Sequence, residues 1–108
     1  MQEPPLTPPP RARRVDVALQ VVFSAHQSHY FAQSANVSET GLFLVTKRGF
    51  TAGTPLHVVF GAPPRLPRIS ADGVIRWTKE HEGIGVELTS LTTEQKLALH
   101  TFLDSNPN

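Results

Sequence analysis

Apolar and polar residues alternate along much of this chain, which is the pattern of β-strands that bury one face. The clearest run is 15–23, where every odd-numbered residue is large and apolar. Five further strands are predicted at 29–37, 42–46, 56–60, 69–78 and 84–88. Gly73, inside the fifth of the six, predicts a bulge or a sharp bend. Short strands separated by glycine and proline predict a single, mainly β domain, either a barrel or a sandwich.

The pattern changes near the C-terminus, where the apolar period becomes helical. Thr92-Thr93-Glu94-Gln95 has the spacing of a capping box, with Thr92 as the N-cap. Leu99, Phe102 and Leu103 then share one face of a helix. We expect this helix to close one end of the β-structure and to stop within 104–107.

Composition limits the class of protein. A chain of 108 residues has room for one modest core. Five of its ten prolines fall in 1–10, so that segment is predicted to be a disordered leader and 11–105 the folded domain. Cysteine is absent, which excludes disulfides and thiolate metal sites. With no signal peptide or spanning apolar run in the sequence, we expect a cytoplasmic protein that does not insert into a membrane.

Charge is informative through its position rather than its sum. A formal net charge of +1 does not favour DNA or RNA as a partner. The basic residues Arg11, Arg13 and Arg14, however, fall within four positions ahead of the first strand. Such a local patch can attract phosphate without making the whole domain basic.

A polar turn, Asn36-Val37-Ser38-Glu39-Thr40-Gly41, lies between the second and third predicted strands. In a structural interpretation, Asn36 and Ser38 bond to nearby main-chain amides, and Gly41 supplies a positive φ if the turn needs one. In a functional interpretation, these residues and the arginines bind a ligand that carries a base and a phosphate, because guanidinium groups recognise both guanine and phosphate. The residues alone leave both interpretations open.

These motifs resemble those of the PilZ domain, the bacterial receptor module for the second messenger cyclic di-GMP. That family has an RxxxR motif before the first strand and a [D/N]xSxxG motif after the second, which Asn36, Ser38 and Gly41 fit. Further local matches, in the right order, fall at 41–44, 73–77 and 83–88, and the resemblance runs from 11 to 103. The chain departs from the family in its arginines, since none of the pairs has the RxxxR spacing and Arg11 to Arg14 is one residue shorter.

The resemblance implies a six-stranded antiparallel β-barrel, of the split-barrel PilZ type, with a C-terminal α-helix. It also implies a ligand rather than a cofactor: cyclic di-GMP, held by Arg11, Arg13 and Arg14 together with Asn36 and Ser38. Gly41 would let the ligand approach the main chain. Trp77 is either an aromatic residue that closes the barrel or a wall for a ligand purine. No metal site or catalytic residue is expected, because the histidines at 26 and 29 lack acidic partners in sequence and Ser38 has no recognisable His/Asp pair.

Two functions follow. The first is a cyclic di-GMP receptor that orders its N-terminal arginine segment and signals in trans to an unidentified partner protein. The second is an adaptor of the same fold that does not bind the nucleotide and serves motility, pilus assembly or polysaccharide secretion. The intact NxSxxG motif favours the receptor, and the missing RxxxR spacing favours the adaptor. Neither function is that of an enzyme.

Overall fold

The computed structural model describes residues 14–105, which form seven β-segments and one helix. In chain order they are β1 (Arg14–Val15), β2 (Gln20–Ala25), β3 (Ser28–Ser38), β4 (Gly41–Val45), β5 (Pro55–Ala62), β6 (Leu66–Lys79), β7 (Gly83–Leu88) and α1 (Thr93–Asp104).

Six of the strands close into an antiparallel barrel. The order is β3-β2-β5-β6-β7-β4, and β4 pairs back with β3. The long β3 divides its pairing, because residues 28–33 pair with β2 and residues 33–37 pair with β4. The short β1 joins the C-terminal end of β3, with Arg14 opposite Ser38. The predicted six-stranded antiparallel barrel with a C-terminal helix is thus confirmed.

The first predicted strand, 15–23, is in fact two segments with a break between them. Its alternation holds, since Val15, Leu19, Val21 and Phe23 are all buried. At the break, the buried Ser34 hydroxyl accepts a hydrogen bond from Leu19 N–H at 2.9 Å and donates to Val17 O at 2.5 Å. The side chain of Ser34 therefore replaces part of the main-chain ladder, which interrupts the strand without exposing it.

The predicted bulge at Gly73 was wrong in position. Gly73 pairs regularly with Leu56 on one side and Leu88 on the other, and the β6 irregularity facing β7 falls between Ile75 and Trp77. What Gly73 provides is a close approach, because a Cβ there would lie 2.7 Å from Glu87 O. The bulge instead gives two successive residues, Arg76 and Trp77, exposed side chains on one stretch of strand.

The inward side chains of the strands form one apolar core, and α1 covers the end of the barrel near the β5–β6 hairpin. Leu99, Phe102 and Leu103 are the buried helical residues, as predicted. Arg65, in the hairpin, lies with its guanidinium carbon 5.4 Å from the centre of the Phe102 ring. Toward the β2–β3 hairpin, the rings of Phe23, Tyr30 and Phe50 pack with centroid separations of 5.2–5.6 Å.

The start of α1 is fixed by the predicted capping box. Gln95 N–H donates to Thr92 Oγ1 at 3.0 Å, and Thr92 N–H donates to Gln95 Oε1 at 2.9 Å. The side-chain amide of Gln95 also donates from Nε2 to Ser70 O at 3.2 Å, which ties the helix to β6.

Within residues 14–105, no helix has the length and hydropathy needed to cross a membrane.

Candidate functional site

A row of outward positions crosses four neighbouring strands on the barrel exterior. In this row Asn36 on β3 lies opposite Phe43 on β4, Phe43 lies opposite Gly85 on β7, and Gly85 lies opposite Trp77 on β6. The rings of Phe43 and Trp77 stack with centroids 5.0 Å apart and planes 17° from parallel. A Cβ at Gly85 would lie 2.3 Å from Trp77 Nε1, so the glycine makes room for this aromatic platform.

Gly85→Ala should displace the indole from the platform. The added methyl group occupies the position of the ring, and Trp77, already 48% exposed, is free to swing outward. Because the chain has one tryptophan, its tryptophan emission under selective excitation reports Trp77 alone, and we expect a red shift of that emission with a stability loss of about 1–3 kcal/mol. Gly49→Ala is the control, since a Cβ there meets nothing within 4 Å. An unshifted Gly85→Ala spectrum would contradict this packing.

The polar turn borders this platform at the end of β3. Ser38 is buried, and its Oγ accepts hydrogen bonds from Thr40 N–H at 3.2 Å and Gly41 N–H at 3.1 Å. Oγ is also placed to donate to Gly41 O at 3.3 Å. Ser38 therefore fixes the conformation of the turn, as the structural interpretation of the motif predicts.

For Asn36 the structural interpretation is wrong, because its side chain makes no hydrogen bond to a main-chain amide within residues 14–105. Its side chain is half-buried at the edge of the platform, and within residues 14–105 no group hydrogen-bonds its amide. An amide offers both donors and an acceptor, so Asn36 presents unused polar groups beside the aromatic rings.

Gly41 is required for packing against β7. The turn does not need a positive φ at Gly41, because among the described residues the positive-φ positions are 26, 27, 53 and 81. A Cβ at Gly41 would instead lie 2.0 Å from Val86 O, within the β4–β7 ladder. Glycine at this position thus allows the turn to pack directly against β7, the strand that carries Gly85.

Charged side chains lie on either side of the platform. Arg14 is exposed on β1, opposite Ser38. Arg76, at the β6 bulge, donates from Nε to Glu87 Oε1, and both side chains are about half-exposed. Two guanidinium groups therefore border this surface. That of Arg14 has no ion pair within residues 14–105, whereas that of Arg76 is paired with Glu87.

Together these residues line an open cleft with a volume of about 210 Å³. The structure brings together five of the predicted site residues, whereas Arg11 and Arg13 lie outside the described part of the chain. The lining residues are Arg14, Asn36, Ser38, Thr40, Gly41, Leu42, Phe43, Arg76, Trp77, Gly85, Val86 and Glu87.

Sequence reasoning missed seven of the lining residues, among them Phe43, Arg76, Gly85 and Glu87. The alternation along β4 and β7 already places Phe43, Gly85 and Glu87 on the outer face. The sequence does not show that β7 lies between β4 and β6.

Comparison with known proteins agrees with this architecture. A family model described as PilZ domain matches residues 10–105. Among solved structures, the inhibitor of motility MotI/DgrA of Bacillus subtilis is 19% identical with a TM-score of 0.79, over 94% of this chain and 55% of that one. The PilZ domain of YcgR from Escherichia coli, solved with c-di-GMP, is 9% identical with a TM-score of 0.75, over 89% of each chain. MrkH of K. pneumonia, also in complex with c-di-GMP, is 14% identical with a TM-score of 0.75, over 92% of this chain and 52% of that one.

This chain therefore spans about half the length of MotI/DgrA and MrkH. At these identities the likeness to solved structures shows the fold. Among curated protein sequences, none matches this chain significantly.

Proposed function

Because the chain belongs to the PilZ domain family, we propose that its cleft binds cyclic di-GMP and that the protein is a receptor acting on a partner protein. The observation that carries the proposal is the combination of three features at one cleft. These are a stacked aromatic platform, the Asn36 side-chain amide, which has no hydrogen-bond partner within residues 14–105, and an exposed arginine. Purine bases, base edges and phosphates are the groups that these three features recognise.

The platform supplies stacking. Phe43 and Trp77 both line the cleft, and stacking of a base on an aromatic side chain contributes about 1–3 kcal/mol. Asn36, beside the platform, can hydrogen-bond the edge of a stacked guanine. Arg14 can bind guanine O6 and N7 bidentately or pair with a phosphate.

Ser38 supports binding through the turn rather than through a contact of its own. Its oxygen already accepts from two main-chain amides, so little hydrogen-bonding capacity is left for a ligand. In this proposal Ser38 holds Asn36 and Gly41 at the positions that form the cleft wall.

The volume of the cleft bears on the role of the N-terminal arginine segment. About 210 Å³ is less than the roughly 300–1,000 Å³ of pockets that enclose a small ligand. A dinucleotide would project beyond the cleft, where Arg11 and Arg13, immediately before Arg14 in the chain, could cover it. Ordering of that segment on the ligand would present a new surface to the partner, which is the proposed output in trans. No catalytic step is part of this function.

The test is isothermal titration of the protein with cyclic di-GMP, with Arg14→Ala and Ser38→Ala variants. We expect micromolar or tighter binding, weakened about 10- to 100-fold by Arg14→Ala, because one bidentate contact accounts for about 1–3 kcal/mol. Arg68→Ala is the matched control, since Arg68 is an exposed arginine that does not line the cleft. Absence of both binding heat and a shift in melting temperature at high ligand would overturn the receptor proposal.

A second candidate function is the adaptor that does not bind cyclic di-GMP, in motility, pilus assembly or polysaccharide secretion. One structural observation favours it. Glu87 lines the cleft, so a carboxylate lies where an anionic ligand would bind, and it holds Arg76 in an ion pair. If the adaptor function is correct, Arg14→Ala leaves partner binding unchanged, and the titration with cyclic di-GMP is silent for the unmodified protein.

A further inference from the structure

Within residues 14–105, the N-terminal half of β3 has one strand edge without a pairing partner. Ser34 N–H donates to Leu19 O at 3.0 Å, so the even-numbered residues of this stretch direct their main-chain groups toward β2. The odd-numbered residues direct their main-chain groups away from β2. On that side Gln33 pairs with Val45, at the end of β4. His29 and Phe31 lie beyond that end. Within residues 14–105 no hydrogen bond reaches their N–H and C=O groups on this edge.

The chain after β4 does not cover this edge with hydrogen bonds. Thr46 turns toward the β6–β7 hairpin, where its N–H donates to Glu82 O at 3.1 Å. Arg48 lies over the ring of Tyr30, with the guanidinium carbon 5.2 Å from the ring centre. Tyr30 packs against Phe23 on the core side of β3, so this contact leaves the outer side of the strand accessible.

An exposed aromatic side chain lies at the same place. Phe31 is 83% exposed, the most exposed of the large apolar residues in the described chain. It lies opposite Val22, which lies opposite Val59, so an apolar row continues from the open edge across three strands. The edge segment 28–33 contains neither proline nor an acidic, lysine or arginine residue, the types that commonly protect free strand edges.

We propose that a second copy of this chain pairs with this edge, β3 against β3, antiparallel about a two-fold axis at Tyr30. His29 of each copy then lies opposite Phe31 of the other, and the four open main-chain groups of each copy are satisfied in one step. The two Phe31 side chains become diagonal neighbours, with Cα atoms about 7–8 Å apart, a separation that aromatic rings can bridge. An identical, uncharged strand suits this edge because two-fold pairing brings no like charges together.

The dimer should be weak and should leave the cleft open. Two short strand segments bury less than the roughly 1,200–2,000 Å² typical of stable complexes. The cleft lies at the other end of β3, around Asn36 and Ser38, and extends over β4, β7 and β6. Dimerisation therefore does not depend on the function proposed for the cleft.

Sedimentation velocity over about 10 µM to 1 mM protein, combined with residue-resolved amide exchange, tests this proposal. We expect a monomer–dimer equilibrium in which the His29 and Phe31 amides become protected as the concentration rises. The Tyr30 and Ala32 amides, which face β2, should be protected throughout. A monomer at every concentration would overturn the proposal. Protection of His29 and Phe31 in the monomer would also do so, because the chain itself would then cover the edge.

Phe31→Pro removes an N–H on the open edge alone, a position at which a strand tolerates proline. The variant should keep the melting temperature of a folded domain and lose the dimer. Phe31→Lys, which puts a charge on the same edge, is the second variant should the proline variant fail to fold. Leu97→Ala, which removes an exposed apolar side chain on α1, is the control and should dimerise normally. A folded Phe31 variant that dimerises like the unmodified chain would contradict the proposed contact.

Discussion

Gly41→Ala should destabilise the barrel by about 3 kcal/mol or more, the upper end of what overpacking a well-packed site costs. The added Cβ would lie 2.0 Å from Val86 O and 3.1 Å from Val86 C. Both are main-chain atoms inside the β4–β7 ladder, so no flexible side chain can move away. The ladder itself has to separate, and with it the turn that Ser38 holds.

Chemical denaturation of Gly41→Ala beside Gly49→Ala measures this effect. A Cβ at Gly49 meets nothing within 4 Å, and Gly49 lacks the positive φ that would make alanine strained. The control should therefore remain within about 0.5 kcal/mol of the unmodified protein. Equal stability of the two variants would show that β4 and β7 do not approach each other as described.

Leu99→Ala should lower the free energy of unfolding by about 2–5 kcal/mol, because it leaves a cavity where α1 meets the core. Leu99 is 0% exposed and lies with Phe102 and Leu103 on the buried face of the helix. Since a small domain has a total stability of only about 5–15 kcal/mol, a loss of this size should lower the melting temperature markedly.

Leu97→Ala is the matched comparison on the same helix. Leu97 is 64% exposed, so the same change in side chain should alter stability by less than about 0.5 kcal/mol. Thermal unfolding followed by circular dichroism distinguishes the two variants. Similar losses at both positions would mean that α1 docks with a different face.

Local patterns in the sequence determine much of this fold. The alternation along 56–60 and 84–88 predicts β5 and β7 because each strand buries one side against a single core. The capping box at Thr92 and Gln95 predicts the start of α1, since its hydrogen bonds join residues three apart in the chain. Such features depend on near neighbours, which the sequence displays directly.

Other features depend on partners that are distant in sequence or on an uncommon backbone. The break before β2 arises from Ser34, which bonds residues 15 and 17 positions away. The β2–β3 turn places His26 and Gln27 at φ values of 53° and 65°, a conformation usually supplied by asparagine and glycine. The residue types at these positions predict neither the break before β2 nor the backbone conformation of the β2–β3 turn.

The cleft likewise combines features that the sequence predicts with features that depend on distant partners. The NxSxxG motif predicts that Asn36, Ser38 and Gly41 lie together, but not that the Ser38 hydroxyl is taken up by the turn. The aromatic platform depends on the registers of two strand pairs, which bring Phe43 and Trp77 to either side of one glycine. The motif predicts which residues lie together, but the strand registers determine what each of them contacts.

Two walls of the cleft consist of main chain that carries no side chain, at Gly41 and Gly85. Glycine is the smallest residue, so every missense mutation at either codon adds volume. Single-base changes at these positions can therefore add a side chain but never remove one. A larger cleft requires a shorter side chain elsewhere in its lining, for example at Phe43 or Trp77.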